Sequence, residues 1–271
     1  MATGHWRILA VLDFEATCAD VSATPQWDLD RQEIIEVPVG LVSVADGSVV
    51  DSFSTLVRPV EQPLLTDFCT GLTSIRQDEL VGQPTIGQAL ADLGRWLDDH
   101  DADETNTLVT TCGDWDLLRM WPKQAALVPD LQTPPLFQRW CNLKVVYQEA
   151  TGRKRAGMMG MLRGLGLPHE GHHHRGADDV RNLCRVVIEL LTTGAQFRPT
   201  WSDPERTRER KRHERKLSQL ESAATAKRRA LAELPGLPDG SAPQVRSRME
   251  RQLEQLLSEA QRLTSMIRVF T

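Results

Sequence analysis

The amino-acid sequence predicts an α/β fold with a mixed central sheet flanked by helices, followed by a C-terminal antiparallel helical hairpin. β-rich segments come first, and helices then alternate with strands, which is the order found in layered α/β proteins. After residue 199 the composition changes to charged segments that each carry one apolar stripe. We therefore divide the 271 residues into a domain at 1–199 and a coiled-coil-like hairpin at 200–271.

The elements of the first domain are predicted from the spacing of apolar residues. Strands are expected at 6–13, 37–44, 49–58 and 107–112. Asp46-Gly47 lies between the second and third of these strands and is typical of a hairpin turn. Helices are expected at 85–100, 156–165 and 178–193. A meander followed by alternating elements predicts strands of both orientations in one sheet.

The tail is predicted to form two helices joined by the breaker PGLPDGSAP at 235–243. Leucine and alanine recur in both helices at alternating steps of three and four, which is the spacing of a coiled-coil seam. Ser202 or Asp203 is expected to cap the first helix. The two stripes can cover each other, or they can also meet a second copy of the chain. We expect a homodimer through residues 203–270 in preference to a purely intramolecular hairpin.

Charge and composition limit the classes of function. The net charge of −5 divides into −10 for residues 1–199 and +5 for residues 200–271. An acidic domain argues against a protein that binds duplex nucleic acid by charge alone. No apolar run approaches a membrane span, and the five scattered cysteines favour a reducing compartment. We expect a cytoplasmic protein without a membrane partner.

A pair of carboxylates follows the first predicted strand. Asp13 and Glu15 stand one residue apart after the apolar run ILAVL. Residues i and i+2 of a strand point to the same side, so both carboxylates should face one place. Like charges held that close repel unless a cation lies between them. A divalent metal with oxygen ligands is the simplest explanation, and an acidic loop is the alternative.

Two later segments offer partners for this pair. In CGDWDL, Asp114 is placed to cap a helix, which leaves Asp116 in its first turn, facing the strand ends. In HHHRGADD, helix periodicity distinguishes two aspartates. The residues that follow Asp179 at helical spacing are apolar, whereas those that follow Asp178 are polar. Asp179 is therefore expected on the buried face, with His174, five residues before it, as its partner.

Together these motifs resemble the DEDD superfamily of 3′–5′ exonucleases, in the DEDDh subclass that has a histidine as fifth residue. The resemblance covers most of residues 6–194 and is closest to the branch of histone-mRNA 3′-end exonucleases and KapD-like proteins. It rests on DFEATC, EIIEVPVGLV, FSTLVRP, LLTDFCTGLTSI, PTIGQAL, CGDWDL and HRGADDVRN. Ser74 departs from the branch, which often has glycine there, and the basic RNA-binding domain that some relatives carry before the nuclease is not present before Asp13.

The resemblance implies an RNase H-like fold and an assignment of roles. Asp13, Glu15, Asp116 and Asp179 would hold two Mg²⁺ or Mn²⁺ ions, and His174 would act as general base. The implied substrate is the 3′ end of single-stranded RNA or DNA. The backbone near Glu15-Ala16 would contact the terminal 3′-hydroxyl. Leu72 and Thr73 would line the wall against which the last base lies.

Two other functions are compatible with the sequence. The acidic domain permits an enzyme that cleaves small phosphodiesters or trims oligonucleotide ends. A catalytically idle binding or scaffold protein would instead act through the C-terminal hairpin. The complete set of five active residues argues against the idle protein.

Overall fold

The computed structural model describes residues 6–20, 22–24, 26–201, 203–233 and 242–268. The chain divides into two compact units, Met1–Asp203 and Pro204–Thr271. The first unit therefore includes Thr200 and Trp201, which the division at residue 199 assigns to the tail. Trp201 stacks on Trp140, with ring centroids 5.3 Å apart, so packing extends the first unit beyond the change in composition.

Among the described residues, six strands form one sheet in the first unit. They are β1 Ile8–Leu12, β2 Glu15–Ala16, β3 Ile34–Ser43, β4 Val49–Leu56, β5 Thr107–Thr111 and β6 Trp140–Asn142. The strand order is β2-β3-β1-β5-β6, with β4 also paired to β3. Strand β3 is antiparallel to β1, β2 and β4, whereas β5 is parallel to β1 and β6. The predicted mixed sheet is confirmed.

Helices follow and separate the strands of this unit. They are α1 Asp67–Thr73, α2 Ile86–Asp99, α3 Trp121–Leu127, α4 Leu143–Thr151, α5 Met158–Leu165 and α6 Gly176–Thr192. A single π-helical turn, Asp116–Met120, leads directly into α3. Helices α2, α5 and α6 confirm the predicted helices. Helices α1 and α4, of seven and nine residues, were not predicted.

Both faces of the sheet are covered, which explains the uninterrupted apolar run of β1. Ile8, Ala10 and Leu12 belong to a core cluster that includes residues of α2 and α3. Leu9 and Val11 belong to a second cluster that includes residues of α5 and α6. Successive side chains of a strand point to opposite faces, so a strand between two layers is apolar at every position.

Helix α6 packs closely on β3, and glycine makes this possible. A Cβ atom at Gly40 would lie 2.5 Å from the Cys184 sulfur and 3.1 Å from Cγ1 of Val180. No real Cβ contact is that short, so only glycine fits at this crossing. The close approach places the N-terminus of α6 near the strands that carry Asp13 and Glu15.

The second unit consists of two helices, α7 Asp203–Ala232 and α8 Ala242–Arg268. Leu220 packs in one cluster with Ala260 and Leu263. Lys216 pairs with Glu259, and Lys227 donates a hydrogen bond to Gln252. Lys216 of α7 meets Glu259 of α8, and the later Lys227 meets the earlier Gln252, so the helices are antiparallel and the predicted hairpin is confirmed. The expected cap at Ser202 and the ends of both seams, Leu234 and Phe270, lie outside the described residues.

Two observations bear on the expected reducing compartment and on the expected absence of a membrane partner. Cys18, Cys69, Cys112, Cys141 and Cys184 are all free thiols. In the part of the chain that the structure describes, no helix has both the length and the apolar character needed to cross a membrane.

Candidate active site

The parallel pairing of β1 and β5 places two of the expected carboxylates at one edge of the sheet. Leu12 and Thr111, the last residues of these strands, are partners in the ladder. Asp13 follows β1 directly, and Asp116 follows β5 at the start of the π-helical turn. The carboxyl ends of parallel strands lie at the same edge, which is where ligands bind in α/β sheets.

Asp116 is held by the backbone of the first motif. The Phe14 amide donates to Oδ1 of Asp116 at 2.8 Å, although the residues are 102 positions apart. Phe14 lies between Asp13 and Glu15, so this bond fixes Asp116 beside both. Burial raises the pKa of Asp116 to about 7, and the Phe14 amide partly opposes that rise. π-Helical turns of this kind occur frequently at functional sites.

Asp13 and Glu15 are strongly perturbed carboxyl groups. Burial raises the pKa of Asp13 well above its ordinary value, and the charges of Asp116 and Asp179 raise it further. Burial, followed by the charges of Asp13 and Asp179, raises the pKa of Glu15 to about 10. The charges of Asp116 and Asp179 therefore disfavour ionisation of both Asp13 and Glu15. The four expected carboxylates form one electrostatic cluster that a cation would stabilise.

Asp179 lies in the first turn of α6 and is 2% exposed. It accepts hydrogen bonds from the His174 backbone amide at 2.9 Å and from Nδ1 of His173 at 3.1 Å. Asp178 points elsewhere, accepting from the His172 amide and from Arg181. The helix periodicity thus identified the inward aspartate.

The sequence pattern suggested that the face of α6 beginning at Asp178 is exposed to solvent throughout. Part of this face is buried. Asn182 is fully buried. Its side-chain amide donates to the carbonyl of Glu170 at 2.7 Å and accepts from the Glu170 amide at 3.1 Å. Residue type alone did not reveal this burial, because a buried amide is stable once both of its polar groups are paired.

His174 reaches the cluster through its ring. One ring nitrogen and carboxylate oxygens of Glu15 and Asp179 all lie within 4.8 Å of one another. The backbone is left-handed at His174, with φ of 67°, a conformation that few non-glycine residues adopt and that recurs at active sites. Burial and the neighbouring His173 lower the pKa of His174, and Asp179 partly opposes this. The imidazole is therefore neutral, and able to accept a proton, near pH 7.

Glu36 is a functional residue that the sequence analysis missed. It is 1% exposed and accepts from the amides of Gly176 and Ala177 at 2.9 and 3.1 Å. These are the first two residues of α6, so the carboxylate occupies the positive end of the helix. Glu36 thereby ties the helix that carries Asp179 to β3. The only sequence signal was a charged residue inside the apolar strand EIIEVPV.

Lys144 is a cation close to two of the carboxylates. Its charge lowers the pKa values of Asp13 and Asp116, although burial outweighs it at both. The ammonium lies 3.1 Å from the position that a Cβ on Gly113 would occupy. Gly113 has φ of 114°, so glycine both permits the backbone turn after β5 and leaves room for the lysine. The sequence offered no pattern that connects Lys144 with Asp13.

The two residues expected at the terminal base, Leu72 and Thr73, differ in their exposure to solvent. Leu72 is half-buried, whereas Thr73 is 1% exposed. The Thr73 hydroxyl donates to the Cys69 carbonyl and accepts from the Ile75 amide, so it stabilises the end of α1 and does not line an open wall. The side chain of Ala16 is buried in β2. Ser74 ends α1 with φ of 60°, which explains why glycine suits this position.

Comparison with known proteins identifies the family. Residues 10–187 match the family model described as Exonuclease (RNase_T). The match covers more than half of the chain, and the protein belongs to this exonuclease family.

Similar proteins are exoribonucleases. ERI1 exoribonuclease 3 of Homo sapiens is 37% identical over 199 residues, which are 72% of this chain and 57% of the relative. The 3′-5′ exoribonuclease 1 of Homo sapiens is 30% identical over 200 residues, 73% of this chain and 56% of the relative. The chain thus matches little more than half the length of these relatives.

Solved structures give the same result. The nuclease domain of 3′hExo, described as a DEDDh family member bound to rAMP, is 29% identical with a TM-score of 0.68, covering 74% of this chain and 100% of that one. A second structure, described as 3′-end specific recognition of histone mRNA stem-loop by 3′-exonuclease, is 29% identical with a TM-score of 0.66. The match covers 72% of this chain and 86% of that one. The expected RNase H-like fold and the resemblance to DEDDh 3′–5′ exonucleases are confirmed.

Proposed function

We propose that this protein is a metal-dependent 3′–5′ exonuclease that hydrolyses phosphodiester bonds at the 3′ end of single-stranded RNA or DNA. The observation that carries the proposal is the cluster of Asp13, Glu15, Asp116 and Asp179, with the ring of His174 beside Glu15 and Asp179. Three separate segments of the chain supply these groups, so the folded domain is needed to assemble them. The names of the relatives favour RNA as the substrate.

The donor set fits the divalent ions on which this family depends. The four side chains offer only carboxylate oxygens, which suit Mg²⁺ or Mn²⁺. The pKa values of Asp13, Glu15 and Asp116 are raised, which shows that the side chains around them do not neutralise their negative charge. We propose two ions, held by Asp13, Glu15, Asp116 and Asp179. When bound, they would lower the pKa of water and neutralise the charge on the phosphate.

His174 is proposed as the general base. Its lowered pKa keeps the ring neutral at pH 7, so a ring nitrogen can accept a proton from the attacking water. Asp179 accepts the backbone amide of the same residue, which holds the loop in place without occupying the ring. The base is therefore oriented by the residue that also joins the carboxylate cluster.

Recognition of a free 3′ end is proposed for the surface beside the first motif. The backbone near Ala16 would contact the terminal 3′-hydroxyl. Leu72 would supply apolar surface to the last base, while Thr73 fixes the turn behind it. Trp115 is 43% exposed next to Asp116, and an exposed aromatic ring can stack on an unpaired base. These features support a single-stranded substrate.

Strand-end assays test the proposal. The protein is incubated with one oligonucleotide that carries its label at the 5′ end and another that carries it at the 3′ end, in Mg²⁺, Mn²⁺ or EDTA. We expect a ladder from the first label, immediate release of a labelled mononucleotide from the second, and no product in EDTA. Cleavage from the 5′ end or in EDTA would contradict the proposal, and no cleavage at all would favour a binding or scaffold protein.

Substitution of neighbouring aspartates provides a matched control. Asp179→Asn should reduce turnover by more than the 10–100-fold that is typical for groups outside the metal's own ligands. Asp178→Asn changes an adjacent carboxylate that contacts His172 and Arg181 and should keep most activity. Asp13→Ala should also abolish hydrolysis. Near-normal turnover in Asp13→Ala or Asp179→Asn would remove the proposed ligand set.

We also propose a cytoplasmic location and self-association through residues 203–270. Free thiols at all five cysteines support a reducing compartment. The cluster of Leu220, Ala260 and Leu263 covers part of each apolar stripe, while Leu257 of α8 is 37% exposed. An exposed leucine beside the seam supports a second copy as its cover.

A further inference from the structure

A second group of potential metal ligands adjoins the candidate active site. Nitrogen atoms of His169 and His173 and a carboxylate oxygen of Asp179 all lie within 4.8 Å of one another. The two rings meet edge to face, with centroids 6.0 Å apart. Neither His169 nor His173 is a proposed ligand of the hydrolytic ions or the proposed base. The group is therefore separate from the oxygen-only cluster except at Asp179.

His169 provides an independent indication of a ligand. Its Nε2 atom is buried and has no hydrogen-bond partner among the residues that the structure describes. A buried polar atom without a partner costs about 1–3 kcal/mol, so such atoms are uncommon unless they serve a purpose. A metal ion bound at this nitrogen would satisfy it.

The loop that carries the two histidines is fixed to α6 at three points. Asn182 holds both backbone groups of Glu170, next to His169. Asp178 accepts the amide of His172, next to His173, at 2.8 Å. Asp179 itself accepts the His174 amide at 2.9 Å. The three ligands are thus held in place by neighbouring hydrogen bonds, as in metal sites that need little reorganisation.

The ligand types select a class of metal. Two imidazoles and one carboxylate suit Zn²⁺ and similar transition metals, whereas Mg²⁺ prefers oxygen ligands alone. Nδ1 of His173 shares a hydrogen bond with Asp179 at 3.1 Å. A transition metal would replace the proton of that bond, so its binding would release a proton.

We propose that His169, His173 and Asp179 form a site for a transition-metal ion of the Zn²⁺ class, and that its occupation inhibits the enzyme. The inhibitory part rests on the proposed nuclease function. Asp179 would serve both sites, and a Zn²⁺ ion held by the histidines would draw its carboxylate away from the ions at Asp13. The binding part depends only on the geometry of the three ligands.

Titration of Zn²⁺ into the full-length, metal-stripped chain tests the binding part by calorimetry. His169→Ala should weaken the tightest binding event by at least about 10-fold. His172→Ala is the matched control, because His172 contacts Ser74 and is not among the ligands. Glu15→Gln alters the other group that contains Asp179, with Glu15 and His174, and should retain the event. Wild-type affinity in His169→Ala, or loss of the event in Glu15→Gln, would overturn the site.

The inhibitory part is tested by Zn²⁺ titration of hydrolysis at fixed Mg²⁺, with each variant normalised to its own activity without Zn²⁺. The concentration for half inhibition should rise at least about 10-fold in His169→Ala and remain unchanged in His172→Ala. Equal inhibition of both variants would show that Zn²⁺ acts elsewhere. If the chain proves not to be a nuclease, the calorimetric result still decides the site.

Discussion

At the scale of single residues, His173 and His174 are adjacent but contact Asp179 in different ways. His174 donates its backbone amide and leaves its ring beside Glu15 and Asp179. His173 donates from Nδ1 of its ring to the Asp179 carboxylate. The two rings stack, with centroids 3.9 Å apart, but they contact Asp179 differently, so the two histidines are not equivalent.

The three consecutive histidines should therefore differ in importance. His174→Ala keeps the amide that holds Asp179 and removes only the proposed base, so kcat should fall by about 10²–10⁴-fold. His173→Ala should have an intermediate effect, because it removes a hydrogen bond to Asp179. His172→Ala should remain near wild type. Equal losses in all three variants, measured by steady-state kinetics, would contradict the assignment of His174.

Asp114 and Asp116 form a second informative pair. Asp116→Ala should abolish activity because the carboxylate beside Asp13 and Glu15 is lost. Asp114 instead accepts from Nε1 of Trp140 at 3.0 Å and from the side-chain amide of Asn142 at 2.9 Å. Its side chain thus joins β6 to the turn after β5 and does not cap the helix as the sequence suggested.

Asp114→Ala should lower the free energy of unfolding by about 1–3 kcal/mol, because the buried Trp140 loses its acceptor. Activity at a temperature where the variant is folded should exceed that of Asp116→Ala. Thermal unfolding and turnover, measured on both variants, check this. Greater loss of activity in Asp114→Ala would mean that the second metal ligand is misassigned.

At the scale of elements, the site depends on how α6 is attached to the sheet. Glu36 of β3 holds the first two amides of α6, and Arg175 links the same region to the end of α1 and to Glu79. Asp179 and His174 both lie close to this attachment. A shift of the helix start would therefore displace a proposed ligand and the proposed base together.

Glu36→Gln should consequently reduce activity as well as stability. A buried charged hydrogen bond contributes about 1.5–3 kcal/mol, and the neutral amide also leaves one of two backbone donors poorly paired. Glu33→Gln is the control, since Glu33 is equally buried and accepts the amides of Val60, Glu61 and Gln62.

Both variants should unfold at lower temperature, but only Glu36→Gln should lose turnover per folded molecule. Equal turnover in the two variants would show that Glu36 contributes to stability alone.

At the scale of the whole molecule, the carboxylate cluster couples stability to pH and metal. The pKa of Glu15 is raised to about 10 and that of Asp116 to about 7. Between their ordinary values and these raised values, the folded protein retains protons that the unfolded chain has lost. Stability of the metal-free protein should therefore fall as pH rises from about 4 to 8.

Divalent cations should reverse that trend, because they favour the ionised carboxylates. At 100 times its Kd an ion stabilises the fold by about 2.7 kcal/mol, or about 5–10 °C in Tm for a domain of this size. Thermal unfolding with Mg²⁺ or EDTA should show a larger difference at pH 8 than at pH 5. A larger difference at pH 5 would contradict the coupled cluster.

The boundary of the first unit gives a prediction for truncation. Thr200 accepts the Asn142 amide at 2.7 Å, and Trp201 stacks on Trp140 and packs against the core. Truncation after Asp203 should leave a folded, metal-dependent nuclease. Truncation after Pro199 should lower the free energy of unfolding by about 1–3 kcal/mol, from the Thr200 hydrogen bond and the aromatic pair.

Light scattering of the full-length chain and of the version truncated after Asp203 tests the role of the tail. We expect a dimer for the first and a monomer for the second. A monomeric full-length chain at micromolar concentration would exclude self-association through residues 203–270 and leave the helical hairpin as an intramolecular structure.

Local sequence alone determined the strands of the meander, the longer helices and the tail hairpin, because apolar periodicity extends over enough residues in each. The same periodicity identified Asp179 over Asp178, and the motif order identified the exonuclease family. Strand β6 was missed, since its three residues contain too little pattern, and the seven-residue α1 was missed as well.

Only the tertiary structure decided which groups meet across the chain. Phe14 meets Asp116, Glu36 meets the start of α6, and Lys144 lies near enough to Asp13 to lower its pKa. Each of these contacts joins segments more than about 100 residues apart in the sequence. The buried nitrogen of His169 and its approach to Asp179 belong to the same class. Burial and proximity are properties of packed elements, so residue type and spacing predict which side chains can react but not which of them are brought together.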